Sequence, residues 1–222
     1  MRIALKQEKL KYIYNKSYNY YDIFHTLGTF RIDEKGRNYL VKRVIQPSDY
    51  VLDAGGGTGL TSFKAVKKLN EKGKIVILDF SEKMLKKARE KADKLNLGKK
   101  VEIKLGDMYE IPFSDETFDS VLSTYSTCPL ENPINAVREM LRVLKNQGTL
   151  GIVHSSNPEN KFAKWLSNGL ENLIWKFPRI SLGCRNIELM DEIRKLNIEI
   201  IENKIIGFVP FYFRIIILKK NK

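Results

Sequence analysis

The run Val51-Leu52-Asp53-Ala54-Gly55-Gly56-Gly57-Thr58-Gly59 constrains this chain more than any other stretch. An apolar run ending in an acid reads as a buried parallel strand, and the glycines after it let the backbone turn sharply and approach a ligand. A helix is expected to start near Leu60, presenting unpaired backbone N–H groups as an anion site. A second apolar run at 74–78 ends in Asp79, at the distance where a ribose-binding acid is expected. The chain thus carries the layout of a nucleoside-type cofactor site.

Strand and helix then alternate. Strands are expected at 50–54, 74–79, 101–105, 118–123 and 148–154, with helices at 60–71, 81–95 and 132–145 and Ser81 as an N-cap. This alternation predicts an α/β fold, a doubly wound Rossmann-like sheet of mostly parallel strands. Three helical segments precede it, at 3–13, 20–27 and 33–45, the last stopped by Pro47. A helical cap is expected over 160–177, where apolar residues recur at helical spacing up to Pro178, and a shorter helix over 187–196. Two runs around Gly207, 198–206 and 209–218, read as a closing antiparallel hairpin. The expected organisation is one domain over 1–222: N-terminal helices over 1–46, a cofactor-binding core over 47–154, a helical cap over 155–197 and the hairpin over 198–222.

The glycine spacing discriminates between cofactors. A dinucleotide fingerprint needs G-x-G-x-x-G, but Leu60 or Ser62 stands where the third glycine belongs. A phosphate loop needs Gly-Lys-Ser/Thr, and no lysine follows Gly59. The run instead resembles the first motif of class I S-adenosylmethionine-dependent methyltransferases. Further segments are similar to that family in the same order: Leu78-Asp79-Phe80-Ser81, Gly106-Asp107-Met108, Ile111-Pro112-Phe113, Phe118-Asp119 and Arg142-Val143-Leu144-Lys145. Asn146 and Gln147 depart from the family's Pro-Gly in the turn before the fifth strand.

The resemblance implies S-adenosylmethionine as cofactor, with Gly55, Gly57 and Gly59 under its methionine part and Asp53 near the ammonium. Asp79 suits the two vicinal ribose hydroxyls as a charged acceptor, and Asp107 and the Met108 N–H suit the adenine edge. Phe80 is placed against the adenine face, and Ser123 at the end of the fourth strand offers main-chain groups. Tyr21 lies in a Tyr-Asp segment similar to one that flanks the cofactor in many small-molecule methyltransferases. Each has a plainer reading: strand-end or turn-shaping acids for Asp79 and Asp107, a loop brace for Asp53, a packing residue for Tyr21. His154, at the carboxyl end of the fifth strand, is the histidine placed to act as a base, or else a satisfied strand-end residue.

The acceptor is less constrained. The fourth strand ends in Ser123-Thr124-Tyr125-Ser126, unlike the Asn/Asp-Pro-Pro-Tyr/Phe of enzymes that methylate base amino groups. The chain looks closer to the branch acting on small molecules, quinone precursors or lipid headgroups. The alternatives are an RNA-directed enzyme using the basic surface and a non-catalytic cofactor-binding protein. Net charge is +13, but Glu82, Glu90 and Asp93 interrupt the most basic helix, which lacks interleaved aromatics; a solvated face explains it and makes a nucleic-acid partner the weaker expectation. Cys128 and Cys184 have no metal-type spacing, so free thiols in a cytoplasmic protein and no metal site are expected. No apolar run reaches the ~20 residues of a membrane span. Segment 160–177, with two tryptophans and three lysines, is expected to cover an apolar acceptor, to rest on a membrane surface, or to pack on the sheet edge.

Overall fold

The computed structural model describes residues 4–177 and 181–222. Three helices, α1 (Gln7–Ser17), α2 (Tyr21–Gly28) and α3 (Ile32–Val44), precede β1 (Tyr50–Ala54). There follow α4 (Ser62–Val66), β2 (Lys74–Asp79), α5 (Glu82–Lys94), β3 (Val101–Leu105), β4 (Phe118–Thr124), α6 (Pro133–Val143) and β5 (Leu144–Ser155). The chain ends with α7 (Lys161–Trp175), α8 (Met190–Ile193), β6 (Ile198–Phe208) and β7 (Phe211–Lys220). The expected start of the first helix at Ile3 and its cap-ending Pro178 lie outside the described residues.

Seven strands form one sheet in the order β3-β2-β1-β4-β5-β7-β6. β1 to β5 are parallel, and β7 joins β5 antiparallel from Thr149↔Lys219 to Ser155↔Phe213. The expected Rossmann-like architecture with its terminal hairpin is therefore present. β1 and β2 are buried along almost their whole length because helices cover both faces of the sheet. On one face α6 buries Ala136, Val137, Met140 and Val143; on the other, α3 sets Leu40, Val41 and Val44, and α5 sets Leu85, Ala88 and Ala92, against the strands. Ser81 caps α5, its Oγ accepting the Met84 N–H at 3.3 Å.

Three elements differ most from their expected length. Helix 60–71 shrinks to Ser62–Val66 because Asn70 redirects the chain: its Oδ1 accepts the Lys72 and Gly73 N–H groups, and its own N–H donates to Pro47 O. β5 starts four residues early, since Leu144 already pairs with Phe118 before a register shift resumes the ladder at Ser120↔Thr149. The helix expected over 187–196 is one turn, because the Ile187 N–H is drawn to Ser155 O.

Candidate functional site

The glycine run folds back over the end of β2. The Gly56 N–H donates to Leu78 O at 2.9 Å, and the Gly57 N–H donates to Asp79 Oδ2 at 2.9 Å. The other oxygen, Oδ1, accepts the Ser81 N–H at 2.8 Å. Each carboxylate oxygen thus holds one backbone donor and keeps acceptor capacity for a further one, the requirement for receiving a vicinal diol. Burial pushes the Asp79 carboxyl up to about 6, opposed by the Ser81 and Gly57 N–H bonds and reinforced by Asp53.

Gly55, Gly57 and Gly59 all take left-handed φ, and the first two line the cavity. Gly55 has φ 71°, and a Cβ there would collide with the Ser126 side chain and the Met108 sulfur. At Gly57, φ 55°, the only atom near such a Cβ is Asp79 Oδ2 at 3.8 Å, so this position leaves a cradle open above the loop. Over it lies a cavity of about 600 Å³ including its mouth, lined by Gly55, Gly57, Asp79, Phe80, Asp107, Met108 and Tyr21. Seven of the ten residues expected to bind cofactor therefore come together around one space.

Asp53, Gly59 and Ser123 stand behind it. Asp53 is fully buried; its Oδ2 accepts the Ser62 hydroxyl and its Oδ1 has no partner among the described residues. Burial pushes its carboxyl up to about 6 as well, against the Ser62 hydrogen bond. Its geometry is that of a brace between β1 and α4. Ser123 Oγ lies 2.7 Å from Ser126 Oγ, which donates to Ala54 O, and it is Ser126 that reaches the cavity.

The N-terminal helices roof the cavity. Leu10 and Tyr14 of α1 line it, and the Gln7 amide donates to Asp107 Oδ2 while the Tyr109 N–H donates to Oδ1. Asp22 of α2 accepts from the Thr58 hydroxyl and from Lys91 Nζ, tying the roof to the glycine run and to α5. Neither Gln7 nor Tyr14 was singled out by sequence as a site residue, since an isolated polar or aromatic residue on a basic helix is not specific; Asp22 belongs to the Tyr-Asp segment that was.

A second, larger cavity of about 1090 Å³ adjoins the first, and Tyr125 lines both. Its walls are aromatic, from Trp175, Phe211, Tyr212 and Phe213, with His25, Glu171 and Arg185 as polar groups. Helix α7 lines it through Ser167, Glu171, Ile174 and Trp175, and Ser167 is its buried residue. The opposite side of α7 is exposed, with Phe162 and Trp165 at 67% and 69%.

Beneath Tyr125 runs a buried polar chain that sequence reasoning missed. His25 Nδ1 lies 2.9 Å from Asp33 Oδ2, and Thr29 Oγ1 donates to Asp33 Oδ1 at 2.8 Å. Arg37 Nε is 3.5 Å from the same Asp33 Oδ2, and its Nη1 donates to Thr61 and Thr124. Burial alone would raise the Asp33 carboxyl, but His25, Arg37 and Thr29 together hold it down at about 2.

His154 is where the sequence put it, at the end of β5, but it lines neither cavity. It is fully buried, its Nδ1 lies 2.9 Å from Ser155 O, and burial pushes its imidazole down to about 4. Nothing on its Nε2 connects it to either space. Cys128 and Cys184, 56 positions apart, are free thiols with their sulfurs 3.0 Å from each other beside the second cavity.

The sheet order, the glycine turn and the acid ending β2 define the class: this is the fold of class I S-adenosylmethionine-dependent methyltransferases. A model of the ubiE/COQ5 methyltransferase family matches residues 2–169, and the chain belongs to that family. The demethylmenaquinone methyltransferase of Listeria welshimeri is 33% identical over 154 residues, 69% of this chain and 65% of that protein. The enzyme of the same name from Lactobacillus johnsonii is 29% identical over 163 residues, covering 73% and 66%. The chain thus spans just under two thirds of the length of these relatives. A SAM dependent methyltransferase from Aquifex aeolicus superposes with a TM-score of 0.58 at 24% identity, over 85% of this chain and 89% of that one. Geranyl diphosphate methyltransferase, solved with GPP and sinefungin, gives 0.69 at 14% identity over 86% and 78%. At such identities the likeness is one of fold.

Proposed function

We propose that this protein transfers a methyl group from S-adenosylmethionine to a quinone-like aromatic acceptor in its hydroxyl-bearing, reduced form. The observation that carries the reading is the pair of cavities meeting at Tyr125, one floored by the glycine run and Asp79, the other walled by aromatic rings. The names of the relatives support a quinone as the acceptor.

The residues around the first cavity suit the cofactor in their hydrogen-bond donors and acceptors. Asp79 receives the ribose hydroxyls, Asp107 and the Met108 N–H take the adenine edge, and Phe80 lies on its face. Gly55 and Gly57 bring main chain under the methionine part, with Tyr21 above it and Ser126 in the place first given to Ser123. Asp53 and Gly59 act through the loop they shape. When bound, the cofactor supplies a sulfonium methyl group for in-line displacement. The protein's contribution is then to hold the acceptor's carbon in line and to exclude water, the proximity effect that dominates such transfers. The N-terminal helices close the first cavity and α7 the second.

The acceptor side also accounts for the outer face of α7. Exposed Phe162, Trp165 and Leu173, beside Lys161 and Lys164, fit contact with a bilayer that holds a lipid-soluble acceptor. Among the described residues no helix is long and apolar enough to cross a membrane, so such contact is peripheral. The free thiols accord with a cytoplasmic setting. Calorimetric titration with S-adenosylhomocysteine and with NADH tests the cofactor: binding of the first alone is expected, and binding of NADH alone overturns it.

A further inference from the structure

We propose that His25, oriented by Asp33, is the general base that takes the proton from the acceptor's ring hydroxyl during methyl transfer. The inference rests on the acceptor reading above. It follows from where the imidazole stands. His25 lines the second cavity, and its ring centroid lies 5.1 Å from that of Tyr125 and 5.4 Å from that of Tyr21. Tyr21 lines the first cavity and Tyr125 lines both, so the imidazole stands at the junction where donor and acceptor meet.

Asp33 fixes which nitrogen works. Its carboxylate is ionised, since it is held at about 2, and an ionised carboxylate only accepts. The bond at 2.9 Å therefore needs the proton on Nδ1, which leaves the lone pair on Nε2. Nε2 makes no hydrogen bond among the described residues, so it is the ring nitrogen free for a molecule in the cavity. Asp33 is itself locked by the Thr29 hydroxyl and Arg37, and is 1% exposed. It is a positioning residue.

The groups facing the imidazole are Asp33 and Arg37 of α3, Tyr21 and Asp22 of its own helix, and Tyr125 after β4. Burial, joined by Arg37, lowers the imidazole's pKa more than Asp33 and Asp22 raise it. It is neutral at pH 7 and able to accept a proton. In the step, the acceptor's O–H bond breaks and the proton moves to Nε2. The oxygen's electron pair feeds the adjacent ring carbon, a carbon–methyl bond forms there, and the methyl–sulfur bond breaks with its pair left on sulfur. The methylated carbon then loses its hydrogen as a proton while oxygen is reprotonated, so one proton is released overall.

The chain has only two histidines, which makes a direct test practical. Nitrogen-15 NMR of histidine-labelled full-length protein, with S-adenosylhomocysteine, is expected to show neutral His25 protonated on Nδ1 at pH 7. Its Nε2 signal should move on adding 1,4-dihydroxynaphthalene. In turnover with that probe at saturating S-adenosylmethionine, where cofactor binding does not limit, His25→Gln is expected to lower kcat by ~10²-fold or more and to abolish the acid limb of the kcat profile. Its affinity for S-adenosylhomocysteine should stay unchanged. Asp33→Asn is expected to lower kcat similarly while shifting the His25 proton to Nε2. A wild-type Nε2–H tautomer, or a His25→Gln enzyme that keeps its rate and its acid limb, overturns the proposal. Failure of the acceptor reading looks different: no label reaches the probe and the His25 signals ignore it, and the base role falls with that reading.

Discussion

The Gly57 N–H donates to Asp79 Oδ2 at 2.9 Å, so the glycine run and the acid ending β2 are one unit. The acid is held by the same backbone that leaves space open at Gly57. Asp79→Ala removes a charged acceptor worth ~1.5–3 kcal/mol to its hydrogen bonds, and is expected to cost at least about tenfold in affinity for S-adenosylmethionine. Isothermal titration measures it; an unchanged dissociation constant removes Asp79 from the ribose.

The same carboxyl predicts a pH dependence. Burial raises Asp79 to about 6, so it is ionised at pH 7.5 and mostly protonated at pH 5. Protonation removes acceptor capacity, and S-adenosylhomocysteine should bind about tenfold more weakly at pH 5 than at pH 7.5. In Asp79→Asn, already weaker, the slope should flatten. A slope that survives there, and vanishes in Asp53→Asn, assigns it to the brace instead.

The two working glycines should fail differently. Gly55→Ala meets both an unfavourable φ and the Ser126 side chain, and is expected to lower stability by roughly 1–3 kcal/mol along with binding. Gly57→Ala meets open space, so the strain of its φ remains but no packing is lost; the thermal midpoint should fall less while binding falls as much. Thermal melts with and without S-adenosylhomocysteine separate the two.

Arg37 ties α3 to α4 and β4 through Thr61 and Thr124 and balances Asp33. Arg37→Met strands a buried carboxylate and is expected to cost about 3–5 kcal/mol in urea unfolding. Adding Asp33→Asn should restore part of that loss, and a purely additive double variant would show that the two do not interact.

His154 is expected to serve stability and not chemistry. The unfolded imidazole binds a proton near pH 6.5 and the folded one only near about 4, so the unfolded state binds more protons between those values. Stability is then lost as pH falls across that window, by about 3 kcal/mol at most. His154→Gln should lose this dependence while keeping its methyl-transfer rate; a large fall in rate at unchanged stability contradicts the assignment.

The parallel strands were legible because strands buried on both faces read as apolar runs ending in glycine or acid. The order glycine run, Asp79, Asp107 was legible for a related reason: successive strands deliver their carboxyl ends to one edge. What pairing decides was not legible, as the early start of β5 at Leu144 shows. The His25, Asp33 and Arg37 chain was hidden too, because an acid and a base four apart on a helix read as a solvated pair. Only burial beneath Tyr125 reveals them as interior. The second cavity joins residues near 25, 125, 175 and 213, which no local pattern connects.

The central claim is tested by incubating the protein with methyl-labelled S-adenosylmethionine, vesicles containing a demethylated naphthoquinone, and a reductant. Labelled methyl is expected on a ring carbon of the quinone, dependent on the reductant. Label found in RNA or protein with none in the quinone, while the cofactor binds, would contradict it.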